Sequence, residues 1–376
     1  MSYQRIIKAL GVALLVSVQT FAQTSTCIIG TGTSGLSPDG KKGYETAIDN
    51  PAAIAIDNSG NIFFADKTHS IIRKLDAATG LVTTIAGNGT FGNSGNGIPA
   101  TDASLDRPGG LVLDNEGNLY ISDQGNNKIR CVNRDGIISD FAGNGIDGYR
   151  GDGQKAINAS FSEPAGMAFD KSGVLYVADA NNNCIRAIDK NGIIRTIAGT
   201  PQSTTRFSGD GGKAKMACLN HPSSIAFDHS GIMFFTDCFN HRIRKINKEG
   251  IINTVAGNGN EGNTTFDVPA QKSALSFPVG LALSPDGSIF FTESGNNSID
   301  KISQRGILSA VQVNDDKLKA KSPGAIALSQ NGELIVCDRD NFRILSIGQI
   351  IEKPNEPTNR AIRTKPTGDT TGLSTN

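Results

Sequence analysis

The sequence predicts an all-β protein, a six-bladed β-propeller whose blades are four-stranded antiparallel sheets. Three observations predict it. Six proline-headed segments recur along the 376-residue chain, at steps of 57, 56, 58, 56 and 45 residues. The first strand of each unit is apolar in both of its alternating sets, the pattern of a sheet buried on both faces. A lone strand at the N-terminus matches the fourth strand of the other units, and the last unit lacks one. Abundant glycine (44 residues) and few aromatics (6%) suit many short strands joined by tight turns.

The elements of one unit follow in order. The first strand reads PAAIAID at Pro51, PGGLVLD at Pro108, PAGMAFD at Pro164, PSSIAFD at Pro222, PVGLALS at Pro278 and PGAIALS at Pro323. Ile54, Leu111, Met167, Ile225, Leu281 and Ile326 are bulky, whereas the next positions hold Ala55, Val112, Ala168, Ala226, Ala282 and Ala327. One face therefore meets large partners and the other small ones, as in blades stacked round an axis. Asp57-Asn58-Ser59-Gly60 and its counterparts supply a hairpin turn, with glycine in the left-handed position. The second strand, as in GNLYISD, ends on Asp66, Asp123, Asp179, Asp237, Glu293 or Asp338. A polar turn such as QGNNKIR leads to the third strand, which carries Arg73, Arg130, Arg186 or Arg244, and then Asp300 and Leu345 in the last two units. A fourth strand such as GIIRTIAG completes the unit.

Ring closure has its own signature. Cys27-Ile28-Ile29-Gly30 matches the fourth-strand endings IAGNG at Ile85 and VAGNG at Val255, with no first three strands before it. The sixth unit runs out near Ile351 after its third strand. The N-terminal strand is expected to complete the last blade and remove a free sheet edge.

Arg5 and Lys8 open the chain, followed by an apolar run from Ala9 to Val18 and small residues up to Ala22. This is the pattern of a secretory signal peptide over 1–22, with Gln23 first in the mature chain. Ten apolar residues reach about half of the ~20 a membrane-spanning helix needs, so no membrane span is expected. The propeller is assigned to 23–351, and 352–376, rich in Pro, Thr, Asn and Gly, to a disordered tail. Lys+Arg and Asp+Glu both count 36, which leaves no global field to draw the chain to nucleic acid. The six cysteines, Cys27, Cys131, Cys184, Cys218, Cys238 and Cys337, contain no CxxC pair. Most are expected as buried apolar side chains, although Cys218 and Cys238 could meet as a disulfide.

The pattern P-x-G-I/L/M-A-x-D, G-x-L-Y-V-A-D, N-N-x-I-R and T-I-A-G resembles the NHL repeat family, from about Cys27 to Ile351. The likeness is strongest to secreted bacterial-type members whose long linkers carry G-D-G-x-x-A, here Gly151–Ala156 and Gly209–Ala214. The resemblance implies a propeller that serves mostly as a protein or nucleic-acid binding module, with a few lyase members. The amidating-peptide lyase branch of this fold places zinc-binding histidines directly after the blade-opening proline. Here those positions hold Ala52, Gly109, Ala165, Ser223, Val279 and Gly324, none of which ligates zinc.

Features repeated in every blade read as scaffold, since one site does not need six copies. The strand-ending carboxylates are expected to accept hydrogen bonds in their turns, and the arginines to pair with them. Arg150-Gly151-Asp152 spells an integrin-like tripeptide but aligns with Ser208-Gly209-Asp210, so it too reads as scaffold. Where blades differ, specificity can reside. The residues just before the blade-opening prolines are Asn50, Arg107, Glu163, His221, Phe277 and Ser322, and this set is expected to ring the mouth of the central channel and grip a ligand. No cofactor is firmly implied. Linker oxygens could take calcium, but no D-x-D-x-D-G loop is present. The expected function is a monomeric extracellular or envelope binding module, recognising a protein, peptide or glycan through the top face. The alternative is a metal-dependent propeller enzyme, a lactonase-like hydrolase or a lyase, with its site at the channel mouth.

Overall fold

The computed structural model describes residues 24–201, 207–313 and 315–348. The signal peptide and C-terminal tail expected from sequence lie outside these residues. The described chain forms six antiparallel sheets arranged as a six-bladed propeller.

In blades 1 to 5 the four main strands run outward from the axis in chain order. Blade 1 comprises Pro51–Ile56, Ile62–Asp66, Ile71–Leu75 and Leu81–Ala86. Blades 2 to 5 repeat this from Pro108, Pro164, Pro222 and Pro278. Blades 1 and 2 each gain a two-residue outer strand, Lys41–Lys42 and Ile98–Pro99, donated by linkers.

Blade 6 is built from both ends of the described chain. Pro323–Leu328, Leu334–Asp338 and Arg343–Ile347 supply three strands, and Ser25–Ile29 adds the fourth. Ser25 pairs with Ile347, Thr26 with Ser346 and Cys27 with Leu345. The expected closure is thus present, and it gives the last sheet a hydrogen-bonded outer strand where an edge would otherwise lie bare.

The hairpin chemistry is that of the sequence. Asp57 Oδ1 accepts from the backbone N–H groups of Ser59 and Asn61 at 2.9 Å each, and Gly60 takes φ of 84°. The same carboxylate cradle recurs at Asp114, Asp170 and Asp228. Blades stack so closely that Gly110 is required: a Cβ there would stand 2.2 Å from the carbonyl oxygen of Ala165 in the next blade. Phe64, Ile121, Val177, Phe235, Phe291 and Val336, at the centre of the second strands, are fully buried between blades.

Neighbouring blades are also tied through polar turns. Ser70, Asn127, Asn183, His241 and Asn297 end the second-to-third-strand turns in left-handed conformation. Each side chain accepts the backbone N–H of the residue preceding the next blade's proline. Asn127 Oδ1 receives Glu163 N at 3.0 Å, and Asn183 Oδ1 receives His221 N at 2.8 Å.

Candidate functional site at the mouth of the channel

The repeated charges form the frame. Asp66, Asp123, Asp179, Asp237, Glu293 and Asp338 are all completely buried. Each accepts the backbone N–H of the incoming linker seventeen residues upstream, such as Ser162 N on Asp179 Oδ1 at 2.8 Å and Asn220 N on Asp237 Oδ1 at 2.7 Å. In blades 2 to 6 a turn asparagine three residues on donates as well, as Asn240 does to Asp237 at 2.9 Å. The carboxylates therefore fasten linker to blade, a longer reach than a bond within their own turn.

The arginines are equally structural. Arg73, Arg130, Arg186 and Arg244 are at most 1% exposed. Arg186 lies 3.3 Å from Asp179 and 2.8 Å from Asp152, and Arg244 lies 3.4 Å from Asp237 and 2.7 Å from Asp210. This explains the G-D-G-x-x-A segments: their aspartate reaches into the following blade to meet its arginine. Asp152 also accepts from Thr196 N at 2.9 Å, so the aspartate of Arg150-Gly151-Asp152 is already engaged inside the molecule.

Blade 5 breaks the pattern. Asp300 replaces the arginine and faces Glu293 with both side chains wholly buried, and Asp300 Oδ1 lacks a hydrogen-bond partner among the described residues. Burial and the adjacent Glu293 carboxylate push the Asp300 carboxyl far above its ordinary range. A second acid thus stands where the first four blades hold a guanidinium.

The central channel is lined by the innermost strands and narrows to a cavity of about 260 Å³. Ile54, Leu111, Met167, Ile225, Leu281 and Ile326 border it but are only 5–9% exposed, their side chains packed between neighbouring blades. Its polar groups are Lys67, Gln124, Arg339, His221, Ser223 and Ser224. Lys67, Gln124 and Arg339 occupy one repeat position, directly after the strand-ending carboxylate. At that position the six blades read Lys67, Gln124, Ala180, Cys238, Ser294 and Arg339.

Two glycines make room for these side chains. A Cβ on Gly109 would lie 2.2 Å from the Gln124 amide, and one on Gly324 would lie 3.0 Å from Arg339 Cδ. Lys67 Nζ donates to Gln124 Oε1 at 2.7 Å. Arg339 is held along one edge, its Nε on the Ser322 carbonyl at 2.9 Å and an Nη on Ser322 Oγ at 3.0 Å. Among the described residues neither cation has a carboxylate oxygen within 4.0 Å. Burial and the neighbouring Arg107 and Arg339 charges lower the Lys67 pKa.

The residues preceding the prolines are distributed differently from the expected ring. All six take left-handed backbone, with φ between 47° and 54°, and of the six only His221 lines the cavity. Arg107 and Glu163 meet at 3.6 Å on the exposed rim. Phe277 packs edge-on against Phe239 and His241. Ser322 positions Arg339, and the Asn50 carbonyl accepts Lys67 N at 3.3 Å. His221 stacks on Phe239 with ring centroids 4.5 Å apart, while Phe239 remains 46% exposed. Burial lowers the His221 pKa, and its Nδ1 is buried with no hydrogen-bond partner among the described residues.

Cys218 and Cys238, considered as a pair from sequence, are both buried. The Cys238 thiol lies against the Ser223 hydroxyl at the channel wall, its pKa pushed up to about 12 by burial. Cys218 lies in the linker, where Ser208 Oγ accepts its backbone N–H at 3.2 Å. Linker aspartates Asp152 and Asp210 pair with arginines, and among the described residues no three His, Cys, Asp or Glu side chains converge as a metal-ion site.

The family model for the Teneurin NHL domain matches residues 145–208 and 201–268. Teneurin-1 of Mus musculus is 29% identical over 263 residues, covering 62% of this chain and 9% of that protein. NHL repeat-containing protein 2 of Bos taurus is 26% identical over 299 residues, covering 71% of this chain and 41% of that protein. The chain thus spans well under half the length of these relatives. Among solved structures, an auxiliary nutrient binding protein from Bacteroides thetaiotaomicron superposes with a TM-score of 0.64 at 14% identity, covering 87% of this chain and 77% of that one; at this identity the likeness is one of fold.

Proposed function

The chain belongs to the NHL-repeat six-bladed β-propellers, and on that premise we propose that it is a binding module that grips its ligand at the top of the channel. The observation that carries this reading is the convergence of Lys67, Arg339, Gln124 and His221 on one cavity. These are positions where the six blades differ chemically, while the charges common to all blades are consumed in the frame. Side chains that vary round a fixed scaffold are the ones free to specify a ligand. Arg107, Glu163 and the exposed face of Phe239 extend this surface outward.

The partner class is a protein, peptide or glycan. Export to the envelope or medium is part of the proposal, supported by the basic start and short apolar run of residues 1–22. A matched pair of array experiments tests the reading. Peptide and glycan arrays are probed with the wild-type chain and with a Lys67→Met/Arg339→Met variant of equal thermal stability. The proposal predicts a discrete set of ligands lost from the double variant. Identical array profiles for the two proteins would move the site away from the mouth.

A further inference from the structure

Resting on the channel-mouth reading, we infer that the ligand is an organic carboxylate whose anionic end is held between Lys67 and Arg339. Three features of the cavity lead to this class.

The first is an unmatched positive charge. Arg107 is satisfied by Asp106 at 3.3 Å and Glu163 at 3.6 Å. Lys67 and Arg339 belong to adjacent blades 1 and 6 and line the same cavity. Neither has a carboxylate oxygen within 4.0 Å among the described residues, and Lys67 is largely withdrawn from water. Two neighbouring cations in a partly desolvated site repel each other, and an anion between them removes that cost. Arg339 is already oriented by Ser322, so it presents the rest of its guanidinium without losing much freedom on binding.

The second is the wall below. The innermost strands expose backbone and small side chains there, polar and apolar groups together, so the part of the ligand that descends is narrow. The volume of about 260 Å³ corresponds to roughly nine waters at ~30 Å³ each, which admits one side chain or a short acyl group.

The third lies across the ring, in blade 4. His221 lines the cavity beside the Ser223 and Ser224 hydroxyls. This gives a ligand amide or hydroxyl a polar counterpart opposite the cations. A carboxylic acid that also bears an amide and a narrow side chain satisfies all three features. The C-terminal residue of a peptide is one such acid, and a free N-acylated amino acid is another.

The test uses matched acids and amides titrated calorimetrically into the mature chain. The probes are N-acetyl-leucine, N-acetyl-leucinamide, and a nonapeptide ending in Ala-Leu as free acid and as amide. Each acid is expected to bind at least tenfold more tightly than its amide. Lys67→Met and Arg339→Met should each remove that preference, while Lys171→Met, on a bottom hairpin, should leave it intact. Tighter binding of the nonapeptide acid identifies a peptide end, and equal binding of the two acids identifies a free-acid site. Acid and amide binding alike, or no binding by either acid, overturns the inference. A neutral ligand from the arrays that is lost with His221→Ala but kept in the double Met variant would sink the carboxylate assignment while leaving the channel-mouth reading standing. Array ligands unaffected by any of these substitutions would sink both.

Discussion

Lys67 Nζ lies 2.7 Å from Gln124 Oε1, a hydrogen bond that joins blades 1 and 2 across the top of the channel. It depends on a missing side chain, because Gln124 occupies the space a Cβ on Gly109 would need. Gly109→Ala should therefore displace the Gln124 amide and release Lys67 while leaving the blades intact. Thermal unfolding within a few degrees of wild type, together with at least tenfold weaker binding of array ligands, is the expected result.

The buried arginines should be costly to remove. Arg244→Met leaves Asp237 without its guanidinium, and breaking such a buried pair costs about 3–5 kcal/mol. Asp210→Ala removes the partner whose side chain is 36% exposed, and should cost ~1 kcal/mol or less. Urea denaturation of the two variants checks the order, which reverses if the linker aspartate rather than the blade aspartate holds Arg244 in place.

Blade 5 predicts a pH dependence that can be worked out in sign. The Asp300 carboxyl has its folded-state pKa raised by burial and by Glu293. The folded chain then retains a proton that the unfolded chain has released, so stability falls as pH rises above the ordinary carboxylate range. The fall ends once pH exceeds the folded-state value, and it approaches about 1.4 kcal/mol per pH unit at its steepest. Asp300→Asn supplies a neutral donor to Glu293 without a proton to lose. It should match or exceed wild-type stability at pH 8, with the gap narrowing toward pH 5. A gap that is constant with pH would show that the pair does not share a proton.

Ring closure can be locked covalently. Thr26 and Ser346 face each other across the closing strands, and a Thr26→Cys/Ser346→Cys pair should bridge them. Disulfides of this kind typically add about 2–4 kcal/mol. The oxidised double variant should melt above its reduced form, with the bridge located by peptide mapping. Equal melting temperatures, with the bridge mapped, would mean that the N-terminal strand contributes little to closure.

The fold was legible because its cause is repetition. Proline-headed segments, two-faced apolar strands and Asx turns recur often enough that each blade corroborates the others. The closing strand was legible as a fragment without its unit, matched by a unit without its last strand. The site was legible only in part. His221 was found because it varies among the residues preceding the prolines, but Lys67, Gln124 and Arg339 were not. Alternation along the second strand stops at its carboxylate, where the backbone turns sharply, with φ and ψ of −85° and 76° at Asp123 and −98° and 80° at Asp338. The next side chain is redirected over the channel by that turn, a change no hydrophobic period records. The available signal was chemical: one position reading Lys, Gln, Ala, Cys, Ser and Arg directly after a constant acid.

Photocrosslinking of ligand to chain tests the central claim most directly. A benzophenone amino acid is placed at Phe239 on the rim of the mouth, or at Lys171 in a bottom hairpin, and each protein is irradiated with the tightest array ligand. The account predicts crosslinks from position 239 that Lys67→Met/Arg339→Met abolishes, and none from position 171. Crosslinking from position 171, or from position 239 undiminished by the double variant, would contradict it.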